Sequence, residues 1–149
     1  GYKAALQDNG LEVKDELIRH CVHAGRLLDE VETAMNDLPA LKNKPDAILA
    51  SADKLTTGCL RILKSNGLKV PDDMALVGFS NTDLTELLDP PLSVIRQPAF
   101  EMGEVATDLL LQLIESKRPV TEFETRVLST ELIVRDSSQP ISNKVRALV

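Results

Sequence analysis

Five residues are placed to do chemistry. Asp53, Ser80 and Asn81, and Gln97 are short polar side chains that each follow an apolar run, and His23 follows another. If they converge, the first four suit recognition of a neutral polyol or sugar-like molecule through paired hydrogen bonds, because an unmade buried bond costs about 1 to 3 kcal/mol. Taken singly, each serves equally well as a helix cap. His23 is open to reading as a base, a metal ligand, a ring that stacks on a ligand or a plain polar loop residue. His20 shares no metal-like spacing with a carboxylate. The chain carries no G-x-S-x-G elbow, H-E-x-x-H, Walker loop or G-x-G-x-x-G, so no enzymatic activity, cofactor or metal is expected.

Composition narrows the partners. The chain has 149 residues, 43% hydrophobic and 27% charged, with 17 Lys and Arg against 23 Asp and Glu and a net charge of -6. That is the balance of one soluble globular unit. No run of four cations occurs, so this segment is not expected to grip nucleic acid by itself. Its apolar runs are far shorter than the roughly 18 to 20 residues that span a bilayer, and no membrane segment is expected. Cys21 and Cys59 belong to no C-x-x-C pair and are expected to be free thiols. Gly1-Tyr2-Lys3-Ala4-Ala5-Leu6 lacks an initiator Met and the features of a signal peptide, so a piece of a longer protein is expected.

The elements that must position these residues follow from periodicity. Tyr2 to Gln7 reads as a helix end closed by Asp8-Asn9-Gly10, and Leu17 to Val22 as a strand. Leu27, Leu28, Val31, Met35 and Leu38 share one helix face, which the polar stretch Lys42-Asn43-Lys44-Pro45 ends. Ala47 to Ala50 is a buried strand, after which Ser51 or Asp53 can cap a helix whose inner face is Leu55, Cys59, Leu60 and Leu63. Met74 to Phe79 is a second strand, and Asn81 or Thr82 caps a short helix through Leu87 or Leu88 that Pro90-Pro91 stops. Leu92 to Arg96 is a third strand. Pro98 opens a helix striped by Met102, Ala106, Leu109, Leu110, Leu113 and Ile114 and ended by Lys117, Arg118 and Pro119. Arg126 to Val134 alternates as a last strand, with Leu128, Leu132 and Val134 on one side, and the tail after Asp136 is expected to be loose.

Strands alternating with helices predict an α/β fold, a doubly wound and mainly parallel sheet with helices on both faces. In such sheets ligands bind beyond the carboxyl ends of the strands. Function is therefore sought at Val22-His23-Ala24, Ser51-Ala52-Asp53, Ser80-Asn81-Thr82 and Gln97-Pro98.

Three motifs then carry a resemblance. Pro45-Asp46-Ala47-Ile48-Leu49-Ala50-Ser51-Ala52-Asp53, then Gly67-Leu68-Lys69-Val70-Pro71-Asp72-Asp73-Met74-Ala75-Leu76-Val77-Gly78-Phe79, then Pro90-Pro91-Leu92-Ser93-Val94-Ile95-Arg96-Gln97-Pro98 occur in order. With Met102-Gly103 and the opening Gly-Tyr, this strongly resembles the effector-binding domain of LacI/GalR-family bacterial transcriptional regulators over roughly residues 1 to 136. The resemblance implies a two-lobed, periplasmic-binding-protein-like fold of type I, of which the chain is the carboxyl-terminal part. Residues 1–97 are then a lobe lacking its first strand, 98–124 a helix and turn of the other lobe, 125–136 a strand returning toward the first lobe and 137–149 a polar tail.

It further implies a cytoplasmic homodimer that senses a sugar-like or nucleobase-like effector and binds operator DNA through an amino-terminal helix-turn-helix absent from this chain. The implied effector contacts are Ala52 and Asp53, where the family often has Asn-Asp, Ser80, where it usually has Asp, together with Gln97 and His23. Ser80 in place of a carboxylate removes a charge-assisted acceptor. Leu84, Leu87 and Leu88 fall in the segment implied to form the dimer contact. The competing expectation is a secreted sugar-binding protein of a transport system with the same fold, and from another class an enzyme on a doubly wound sheet.

Overall fold

Helix α1 spans Tyr2–Asp8 and closes as the sequence suggests. Gly10 takes φ 69, and the Gly10 and Leu11 amides reach back to the Gln7 and Leu6 carbonyls in the paired pattern that satisfies a helix's last acceptors. Helix α3, Asp53–Ser65, ends the same way: Gly67 takes φ 68, its amide meets the Lys64 carbonyl, and the Leu68 amide meets that of Leu63. The computed structural model describes residues 1–24, 28–36, 38, 44–116 and 123–139. Helix α2 spans Leu28–Asn36 and helix α4 Ala99–Glu115. Leu27, Lys42, Asn43, Lys117, Arg118, Pro119 and the tail from residue 140 lie outside the described residues.

Among the described residues four strands form one sheet in the order β1 (Ala47–Ala50), β2 (Ala75–Phe79), β3 (Ser93–Arg96), β4 (Glu131–Ile133). The first two pairings are parallel and the last antiparallel. Register puts Ile48 and Ala50 beside Leu76 and Gly78, with Val94 next in line. These point toward α3, whose Thr56, Cys59, Leu60 and Leu63 are buried, while α2 packs behind it through Val31. The opposite face is more open, Leu49 being 49% exposed.

Both thiols are free. Burial first, and then the nearby Cys21, push the Cys59 thiol up to about 11.

Several expectations are corrected. Leu17 to Val22 is not a strand: Asp15–Leu17 is a turn of 3-10 helix, and Ile18 is extended at φ -97, ψ 124, but no described strand lies beside the segment. Extended backbone without a ladder partner is not sheet, and the Ile18 amide is bonded to the Asp15 carbonyl instead. The last strand is shorter than Arg126 to Val134: Glu131–Ile133 pairs with Arg96, Ile95 and Val94, and beyond Arg96 the Gln97 amide and carbonyl are already bonded to the Asn81 carboxamide. Its inward residue is Ile133, which packs on the core, whereas Leu132 and Val134 are 59% and 52% exposed. Neither Ser51 nor Asp53 caps α3, whose N-cap is Ala52 with no side-chain bond. Of the two candidates Asn81 and Thr82, it is Thr82 that caps, accepting from the Leu84 amide at 3.3 Å, and the element is a 3-10 turn, Asp83–Glu86. The α4 stripe buries nothing among the described residues.

The chain after Asp136 is not loose where it is described. Ser137 is fully buried; its hydroxyl donates to the Leu76 carbonyl at 2.6 Å and accepts the Ser93 amide at 2.8 Å. Ser93 Oγ in turn accepts the Arg135 amide at 2.7 Å. The Arg135 guanidinium donates to the Leu92 carbonyl at 2.7 Å and to Thr85 Oγ1 at 3.3 Å. A segment without apolar residues is thereby fixed to β2, β3 and the 3-10 turn by hydrogen bonds, and Arg135 also pairs with Glu86 of that turn at 3.8 Å.

Candidate functional site

Because β1, β2 and β3 run parallel, their carboxyl ends share one edge of the sheet, and Asp53, Ser80 and Gln97 follow them there. Ser80 is 5% exposed, and its hydroxyl donates to Asp53 Oδ1 at 2.6 Å. Asp53 lies in the first turn of α3, where the amide-rich helix end favours a negative group. Its own side chain is exposed at the edge.

The next residue reaches the other way. Asn81 Nδ2 donates to the Gln97 carbonyl at 2.8 Å, and Asn81 Oδ1 accepts the Gln97 amide at 2.9 Å. The carboxamide thus binds both polar groups of one residue's backbone, as a neighbouring strand would. The Gln97 carbonyl also accepts the Ala99 amide at 2.8 Å across Pro98, which sits at φ -76, ψ 67, the geometry of an inverse γ-turn. Gln97 does not cap α4: the N-cap is Pro98 with no side-chain bond. Its carboxamide is exposed and makes no hydrogen bond among the described residues. It lines a groove of about 300 Å³ between α4 and the stretch entering β4, with Met102, Ala106, Leu109, Leu128 and Thr130.

The other expected residues fall differently. Ala52 is half-buried, and its carbonyl is occupied by the amide and hydroxyl of Thr56, at 2.9 and 2.8 Å. His23 is joined to Glu30: its amide donates to both carboxylate oxygens, at 3.2 and 3.1 Å, and its ring Nδ1 lies 3.6 Å from Oε1. The structure therefore unites Asp53, Ser80, Asn81 and Gln97 and ties His23 to another element. Leu84 and Leu87 are 65% and 76% exposed, whereas Leu88 packs against the core.

Thr56 is the position whose importance the sequence does not disclose, and for Asn81 the sequence discloses the strand-end position but not the Gln97 backbone it binds. Thr56, fully buried, meets the backbone of Gly78 so closely that no side chain fits there. No motif marks either residue, since each acts on backbone 16 or more positions away.

A family model described as a periplasmic binding protein-like domain matches residues 1–138. Among curated relatives, the transcriptional repressor CytR of Escherichia coli K12 is 34% identical over 141 residues, covering 95% of this chain and 40% of the relative. The ribose operon repressor of Haemophilus influenzae is 30% identical over 139 residues, covering 92% and 40%. The chain thus spans well under half the length of these relatives. Of solved structures, a complex of the transcriptional regulator CelR with cellobiose superposes with a TM-score of 0.73 at 31% identity, covering 92% of this chain and 40% of that one. A LacI-type transcription regulator from Bifidobacterium animalis subsp. lactis gives 0.72 at 27% identity, covering 94% and 49%. Fold, motifs and relatives agree, and the chain belongs to the periplasmic-binding-protein-like domain family, as the carboxyl-terminal part of an effector-binding domain of the LacI type.

Proposed function

We propose that this chain is the effector-sensing and dimerisation part of a DNA-binding transcriptional regulator of LacI type, acting in the cytoplasm. The observation that carries the reading is the convergence of Asp53, Ser80 and Gln97 at the carboxyl ends of three adjacent parallel strands, held there by hydrogen bonds across the strand ends. The relatives are regulators, which favours this reading over a transport carrier or an enzyme. The effector is a small sugar-like or nucleobase-like molecule, in keeping with the ribose and cellobiose in the names of two similar proteins. Operator contact belongs to a helix-turn-helix outside this chain.

The exposed Gln97 side chain meets the effector, while its clamped backbone marks where the chain leaves one lobe for α4. An effector bound between lobes changes DNA affinity only through its different affinity for their two arrangements. In the full-length protein, Gln97→Ala is expected to weaken effector binding about tenfold and to shift operator affinity in effector-free protein as well. Paired titrations of effector and operator read both. Wild-type behaviour in the two titrations would remove Gln97 from the site.

Leu84 and Leu87 stand outward on a turn that Arg135 braces, and they form part of a homodimer contact. Placing a charge in a desolvated apolar contact is expected to cost about 2 kcal/mol or more, so Leu87→Asp should raise the dimer dissociation constant at least about thirtyfold. Sedimentation of wild-type and variant full-length protein measures this, and an unchanged dimer would reject the contact.

A further inference from the structure

Ser80 has little left to offer a ligand. It is 5% exposed, its one hydroxyl proton goes to Asp53 Oδ1 at 2.6 Å, and its oxygen accepts the Thr82 amide at 3.4 Å. Asp53 is in the opposite position: its side chain is exposed, one oxygen is fixed, and Oδ2 has no hydrogen-bond partner among the described residues. A carboxylate accepts only, so what it binds must donate. Holding one oxygen in place beforehand also lowers the entropy lost when the other is engaged. The Gln97 carboxamide, following the end of β3 on the far side of β2 from Asp53, both donates and accepts.

Taking the effector-binding reading as its basis, we infer that Asp53 is the ligand-holding carboxylate, that buried Ser80 is a positioning residue which aims it, and that the ligand is a neutral polyol. Hydroxyl groups match this set, since they donate to Asp53 and exchange hydrogen bonds with Gln97. A phosphorylated sugar fits poorly, because its charge would face a fixed carboxylate of the same sign.

The test uses the full-length protein and thermal shift with D-ribose, D-glucose, cellobiose, glucose 6-phosphate, adenine and cytosine. A neutral sugar is expected to bind. Its dissociation constant is then measured by calorimetry for Asp53→Asn, Ser80→Ala and the double variant. Losing the charged acceptor is expected to weaken binding at least about tenfold, and losing its guide about threefold. The double variant should match Asp53→Asn, because Ser80 acts only through that carboxylate. This coupling separates positioning from a merely structural role, which would lower the sugar-free melting temperature without cancelling in the cycle. Additive losses, or unchanged affinity in Asp53→Asn, overturn the inference and leave the sensing reading intact. A response only to glucose 6-phosphate or to the bases overturns the neutral-polyol class. Failure of all six probes overturns the sensing reading together with it.

Discussion

Gly78→Ala is expected to destabilise the full-length protein by about 3 kcal/mol, and the effector-binding domain's melting temperature should fall by roughly 10 °C. A Cβ on Gly78 would stand 2.1 Å from Thr56 Cγ2, 2.3 Å from its Oγ1 and 2.7 Å from its Cβ. Rotating Thr56 cannot relieve the contact with its own Cβ, and the side chain is fully buried, so α3 would have to lift from β2. Thr56 also bonds the Ala52 carbonyl at 2.8 Å and approaches the Phe79 carbonyl at 3.4 Å, so displacement disturbs the start of α3, which carries Asp53, and the loop after β2, which carries Ser80. Adding Thr56→Ala should restore only part of the loss, because its Cβ remains. By contrast, a Cβ on Gly58 meets Val31 Cγ1 at 3.2 Å, a methyl that can give slightly. A Gly78→Ala protein melting within about 2 °C of wild type would contradict this packing.

Ser137→Ala should come next in size, at about 2 to 3 kcal/mol, although it removes one oxygen from a segment only two residues short of the last one described. Its loss strands the buried Ser93 amide and removes a donor from the Leu76 carbonyl, and neither site is open to water, since Ser137, Ser93 and Leu76 are all fully buried. Ser138, half-buried and bonded at 2.7 Å to Ser93 Oγ, gives the comparison: Ser138→Ala should cost less than half as much. Chemical denaturation ranks the two variants, and hydrogen exchange at the Ser93 amide locates the damage. Equal stability of both variants would mean that the buried hydroxyl is not the staple.

What the sequence discloses is the part of the fold built on apolar repetition. Ala47 to Ala50 and Met74 to Phe79 are compact apolar runs between turn residues, and Leu55, Cys59, Leu60 and Leu63 recur at helical intervals, so β1, α3 and β2 can be read directly, the second strand starting one residue later, at Ala75. Leu17 to Val22 shows the limit of that method, since an apolar pattern states what a segment could pair with and not whether a partner strand runs alongside. The site divides in the same way. Topology alone brings Asp53, Ser80 and Gln97 to one edge. The Asn81 grip on Gln97 and the burial of Ser137 rest on side-chain bonds across 16 and 44 positions, which leave no periodic trace.

The pairing of Arg96 with Glu131 has an architectural consequence. Opposed residues of antiparallel strands lie roughly 5 Å apart, so everything from Gln97 to Thr130 departs and returns through one narrow gate. To the sheet, that whole excursion is an insert whose two ends nearly touch, and inserts of this kind are exchanged with little disturbance to their host. The β3–β4 rungs thus make the sheet a socket, on which different appendages can be mounted beyond Gln97, whose backbone Asn81 holds to the edge bearing Asp53 and Ser80.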